Sequence, residues 1–249
     1  KTALFVSGLI LLALAAAACS GSDAASNGDG VLITPILSPT AVATRPAGNG
    51  PGSQPATSVA ATAVPADPLT GFTFPIAGGC LPKGDQLMPN APRTYRNGIH
   101  EGIDFYQVDN CTAIGRGTPV LAAKAGRVIR ADLDYRDITE AEVAAYLANP
   151  NTEEALDKFR GRQVWIQHEG GIVTRYAHLS GIAPGITVGA TVAQGQVVAY
   201  VGNSGTPESV SNPSGEMHLH FEVRVGDSYL GKGQSPAEVR RLYTRLFSP

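Results

Sequence analysis

Five histidines stand in this chain, and their placement is its most informative chemical feature. Imidazoles and carboxylates are the donors and proton carriers from which metal sites and acid–base catalysts are built. His218 and His220 lie two apart in residues 217–225, where Met217, Leu219, Phe221, Val223 and Val225 alternate with His218, His220, Glu222 and Arg224. Successive side chains of a strand point to opposite faces, so both imidazoles leave one face while the apolar residues line the other. Alone, such a pair is as readily a solvated polar face as a site. His100-Glu101-Gly102-Ile103-Asp104 sets a histidine and a carboxylate four apart. In a helix that spacing shares a face. Fully extended, it separates them by about 13 Å, too far for one ion with bonds near 2 Å. A site using both therefore needs a bend, which Gly102 permits. His178, in Tyr176-Ala177-His178-Leu179-Ser180, ends an apolar run, where a single histidine is ordinarily a packing or capping residue. His168 stands beside the turn signal Glu169-Gly170-Gly171 and is assigned a structural role.

These residues need elements to hold them. From Gly71 onward the chain consists of short apolar runs bounded by glycines. Residues 119–123, 126–130, 186–188 and 197–201 read as strands, and 163–167 with 172–176 as a hairpin through Glu169-Gly170-Gly171. Many short strands at turn spacing predict a mainly β fold, an antiparallel β-sandwich or open barrel. Helices are local additions. Thr139 with Glu142 forms a capping box that opens a segment stopping at Asn149-Pro150, and residues 152–160 make a second short helix ending at Gly161. Residues 137–160 therefore read as a small helical insertion between strands. Ser235-Pro236-Ala237-Glu238 opens a C-terminal helix with proline at its first position.

Taken in order, the segments 100–104, 176–180 and His218-Leu219-His220-Phe221-Glu222 resemble the lysostaphin-type zinc metallopeptidases, a family of murein hydrolases. Residues 119–128 look like the family's strand pair and Val201-Gly202-Asn203-Ser204-Gly205 like its glycine loop. The resemblance spans roughly residues 72–226 and is specific because three motifs occur in order. It implies the family's β fold and one zinc ion held by His100, Asp104 and His220. Two nitrogen ligands, one oxygen ligand and an open position form the pattern of a catalytic zinc site. The implied activity is hydrolysis of peptide bonds in peptidoglycan stem peptides or cross-bridges. His178 and His218 match the family's two non-ligand histidines. His218 is assigned the water's proton and His178 the oxyanion, although either imidazole can serve in either role. Glu222, on the strand face of His220, is a candidate for orienting it. The competing expectation is a catalytically silent relative that binds or regulates other cell-wall hydrolases, but all five matching residues are present. A carrier module with Lys124 as its attachment point lacks the hairpin-tip context. Two departures from the family pattern, the insertion at 137–160 and a lengthened link at 206–217, are expected to reshape the substrate groove.

The rest of the chain says where such an enzyme works. The net charge is −2, so there is no basic field for nucleic acid. Charged residues make up only 16% of the chain, against about 25% in a typical domain. The dilution comes from residues 20–68, which hold seven prolines, four charged residues and no aromatic. Such a segment cannot offset its ordering entropy and reads as a disordered linker, roughly 35–40 Å long on average. Before it, residues 1–19 carry one positive charge and an apolar stretch of signal-peptide length. Ala16-Ala17-Ala18-Cys19 resembles a bacterial lipobox, with Ala16 where leucine is usual, and makes Cys19 the lipidated residue. The expectation is thus an exported, extracytoplasmic, membrane-anchored lipoprotein, monomeric, with a catalytic domain over residues 69–249. In an exported chain the remaining cysteines, Cys80 and Cys111, suggest a disulfide.

Overall fold

The computed structural model describes residues 67–249; the signal segment with Cys19 and nearly all of the linker lie outside the described residues. In chain order the elements are β1 (Pro92–Arg93), β2 (Gly98–Ile99), β3 (Ile103–Tyr106), β4 (Pro119–Leu121), β5 (Gly126–Ala131), α1 (Glu140–Ala148), α2 (Glu153–Arg160), β6 (Val164–Gln167) and β7 (Ile172–Ala177). They continue with β8 (Leu179–Ile182), β9 (Thr191–Val192), β10 (Val197–Val201), α3 (Pro207–Ser211), β11 (His218–Val225), β12 (Ser228–Tyr229) and α4 (Pro236–Leu246). The main sheet runs β12-β11-β7-β6-β5-β9, with β3 also paired to β11, and a second sheet runs β4-β10-β8. Every strand pairing among the described residues is antiparallel, as expected from the sequence. One apolar cluster joins both sheets to α4, with Phe105, Tyr176, Val198, Phe221 and Tyr243 fully buried within it.

The helices form where their caps predict. Thr139 accepts the N–H of Glu142, whose carboxylate takes the Thr139 N–H at 2.8 Å. Thr152 caps α2, which ends at Gly161 with φ 66°. Ser235 and Glu238 form a second capping box on α4, with Pro236 at its first position. A separate cluster of Ile138, Ala155 and Phe159, packed by Val143, Tyr146 and Val210, joins the insertion to α3 in the lengthened link. One strand expectation fails. Residues 186–188 form no strand, because Gly185 and Gly189, with φ 81° and 93°, turn the chain on either side and leave Val188 exposed. Of the two readings open for the histidine pair of β11 taken alone, the solvated face is not what forms. The strand's polar face is buried like its apolar face, because the insertion and neighbouring arginines cover it.

Cys80 and Cys111 are disulfide-bonded across 31 residues. Closing a loop of that length in the unfolded chain stabilises the fold by about 3.5 kcal/mol. Cys111→Ser is expected to lower the free energy of unfolding by about that amount in a denaturant titration. An unchanged midpoint would show that the Asn110 and Asp109 bonds to residues 80, 83 and 84 already fix the loop.

Candidate metal centre

The site is assembled by register. β11 lies between β3 and β7, so His220 stands directly opposite Asp104 on one side and Ala177 on the other. Directly paired residues share a face with Cβ atoms roughly 5 Å apart, which brings Asp104 and His220 together from 116 residues apart. His100 reaches them from the bend before β3. Gly102 lies at that bend, yet a second constraint fixes it as glycine: an added Cβ would stand 2.5 Å from the Phe221 carbonyl oxygen.

His100 Nε2, His220 Nδ1 and Asp104 Oδ1 lie 2.8–3.0 Å from one another. The opposite ring nitrogens are committed elsewhere. His100 Nδ1 is 3.1 Å from the Met88 carbonyl, and His220 Nε2 is 3.1 Å from Glu222 Oε1. A carbonyl or an ionised carboxylate only accepts, so each of these nitrogens carries its ring's proton. With both rings neutral, as metal ligation requires, the facing nitrogens present lone pairs to each other and to a carboxylate. Three lone pairs converging in a buried space repel one another unless a proton or a metal cation lies among them. The donor set, of two imidazole nitrogens and one carboxylate oxygen, is that of a catalytic zinc site. Burial pushes His100 down to about 4. Burial also opposes charge on Asp104, but His100, His220 and His218 together hold its carboxyl well below the usual range. For His220 the burial effect is outweighed by the carboxylates of Asp104 and Glu222, which raise it. Glu222 is fully buried, and Arg160 and His220 overcome desolvation to keep it ionised.

Beside this triangle stand the other two site histidines. His178, at the corner between β7 and β8 with φ 59°, donates Nδ1–H to the Ser204 carbonyl at 2.8 Å. His218 donates Nδ1–H to the Glu216 carbonyl at 2.8 Å and stacks on Tyr106 at 4.2 Å between ring centres. Their ring centres are 4.6 Å apart, and His218 Nε2 is 3.8 Å from Asp104 Oδ1. In both, the carbonyl partner leaves Nε2 as the free, proton-accepting nitrogen of a neutral ring. Burial pushes both below the usual imidazole range, so both are neutral at pH 7. The structure thus gathers all five predicted site residues, with Glu222 behind His220. His168 is elsewhere, with Nδ1 on the Ala125 carbonyl at 2.9 Å and Nε2 on Thr174 Oγ1 at 2.8 Å, as its structural assignment requires.

Three contributors carry no signal in the sequence. Arg93 binds the outer oxygen of Asp104 at 2.7 Å, so that carboxylate presents one oxygen to the site. Met88 acts through its backbone, and Arg160 through Glu222. All border or support a groove of about 530 Å³ that opens onto His100, His178, His218 and His220. The insertion supplies Leu147, Leu156 and Phe159 to its wall and the lengthened link supplies Thr206, Pro207 and Glu208, so both departures do shape the groove.

No curated protein matches the sequence. Among solved structures, a zinc-containing peptidase from Vibrio cholerae is 22% identical with a TM-score of 0.42, covering 64% of this chain and 38% of its own. The catalytic domain of the antimicrobial peptidase lysostaphin from Staphylococcus simulans is 22% identical with a TM-score of 0.36, covering 60% and 85%. A catalytic-domain variant of the prophage-encoded M23 protein EnpA from Enterococcus faecalis is 22% identical with a TM-score of 0.36, covering 63% and 95%. The chain spans about two-fifths of the Vibrio cholerae peptidase and most of the other two. The model of Peptidase family M23 matches residues 98–232, which include all five site residues and more than half of the 249-residue chain, and this protein belongs to that family.

Proposed function

We propose that this chain is a zinc-dependent endopeptidase that hydrolyses peptide bonds in bacterial peptidoglycan, in stem peptides or cross-bridges. The observation that carries this reading is the convergence of three lone pairs, from His100, Asp104 and His220, beside two neutral histidines that accept protons. Zinc held there would supply a Lewis acid and would lower the pKa of a bound water to about 7. His218 Nε2, 3.8 Å from Asp104 Oδ1, would accept the proton of the attacking water, and the Glu216 carbonyl and Tyr106 ring hold the imidazole in place. His178 faces it across the site. Its Ser204 bond puts the first proton on Nδ1, so it donates from Nε2 to an oxyanion or leaving amine only after gaining a second one. Arg93 takes the outer oxygen of Asp104, so the carboxylate presents a single oxygen to the centre. A silent relative that only binds or regulates other hydrolases has no need of this complete set of donors and proton carriers.

Dye-labelled sacculi incubated with the purified protein are expected to release soluble fragments, and a strong chelator should abolish release. Release that persists in chelator would overturn the reading. The same proposal places the enzyme outside the cytoplasm, anchored through a lipid on Cys19. Cys19→Ser is then expected to move the protein from the membrane to the soluble fraction on cell fractionation. Retention in the membrane would point to another anchor.

A further inference from the structure

The helical insertion reaches further into the site than its place in the groove wall requires. Arg160, the last residue of α2, has only 9% of its side chain exposed. Its Nε donates to Glu222 Oε1 at 2.6 Å, the same oxygen that accepts His220 Nε2–H at 3.1 Å. Its Nη2 donates to Glu101 Oε2 at 2.8 Å. The other arginines on Glu222, Arg175 at 3.4 Å and Arg224 at 3.2 Å, bind Oε2 instead. Among the described residues, only Arg160 and His220 bond to Oε1. The Arg160 carbonyl also accepts the His178 N–H at 2.9 Å. Next along the chain, Gly161 packs so closely on the Ser204 carbonyl that a Cβ there would stand 2.2 Å away. The end of α2 is therefore locked between the supports of both His220 and His178. A buried guanidinium is costly unless paired, and Glu222 with Glu101 pairs this one on both edges.

We propose that Arg160 is a positioning residue, through which the insertion orients His220 and so sets the metal affinity of the centre. Arg160 holds Glu222 Oε1 where it accepts His220 Nε2–H. That bond fixes the tautomer and turns Nδ1 into the site. The inference rests on the metal-centre reading above, and its test separates the two. Zinc affinities of the wild-type chain, Arg160→Ala and Arg160→Lys are measured by competition with a chromophoric chelator, and the visible absorption of each cobalt-loaded protein is recorded. Arg160→Ala is expected to bind zinc about 10–100-fold more weakly, with an altered cobalt spectrum. Added guanidinium ion should restore much of the affinity. Arg160→Lys keeps the buried charge but not the fork that spans two carboxylates, and should fall between the two. Far-ultraviolet circular dichroism checks the fold; if Arg160→Ala unfolds, Arg160→Lys decides by the same readout. Glu154→Ala, on the exposed side of the same helix, should change nothing. Wild-type affinity and spectrum in both Arg160 variants would overturn the proposal. A wild-type chain that takes up no zinc would overturn the metal-centre reading and this role with it.

Discussion

His220→Ala is expected to lower the release of fragments from sacculi by about 10³-fold or more. Lewis-acid stabilisation of a developing charge amounts to several kcal/mol, and each 1.36 kcal/mol is tenfold in rate. The substitution removes one of three donor atoms and leaves His100 Nε2 and Asp104 Oδ1 unable to hold the ion alone. It should leave the fold intact, because His220 points away from the apolar face of β11, where Leu219, Phe221 and Val223 are fully buried. Glu222 keeps three arginine partners when the imidazole is gone. Release at the wild-type rate from a correctly folded His220→Ala protein would mean that the chemistry does not pass through this centre.

Substituting the two other site histidines should separate proton transfer from metal binding. His218→Ala and His178→Ala are each expected to lower kcat about 10²–10⁴-fold while the protein keeps its zinc. Both rings give Nδ1–H to a backbone carbonyl and neither supplies an atom to the donor triangle. The pH profile carries a sign. A base works only as the neutral ring, and burial moves both imidazoles below 6.5, so activity should persist below pH 6.5 before falling on the acid side. A loss confined to KM, or zinc lost along with activity, would assign these residues to substrate or metal binding instead.

Much of this site is legible in the sequence because strand alternation is local. His218, His220 and Glu222 fall on one face of β11 by period alone, and the capping boxes at Thr139 and Ser235 announce their helices within four residues. What lies between strands is not legible in that way. The register that sets His220 against Asp104, and so makes a site from residues 116 apart, depends on non-local pairing. Arg93, Met88 and Arg160 act through contacts between residues far apart in the chain or in different elements, and nothing in their neighbours along the chain distinguishes them. The misread strand at 186–188 shows the converse, since its apolar pattern is overridden by glycine turns on both sides. The buried polar face of β11 is a third case. Alternation predicts a face, but only the position of the insertion tells what covers it.

Whether His100, Asp104 and His220 hold zinc is decided by metal analysis of the purified protein. One zinc per wild-type chain is expected, and close to none in His220→Ala. A wild-type protein without stoichiometric zinc, or a His220→Ala variant that carries as much as wild type, would rule out this centre as the zinc site.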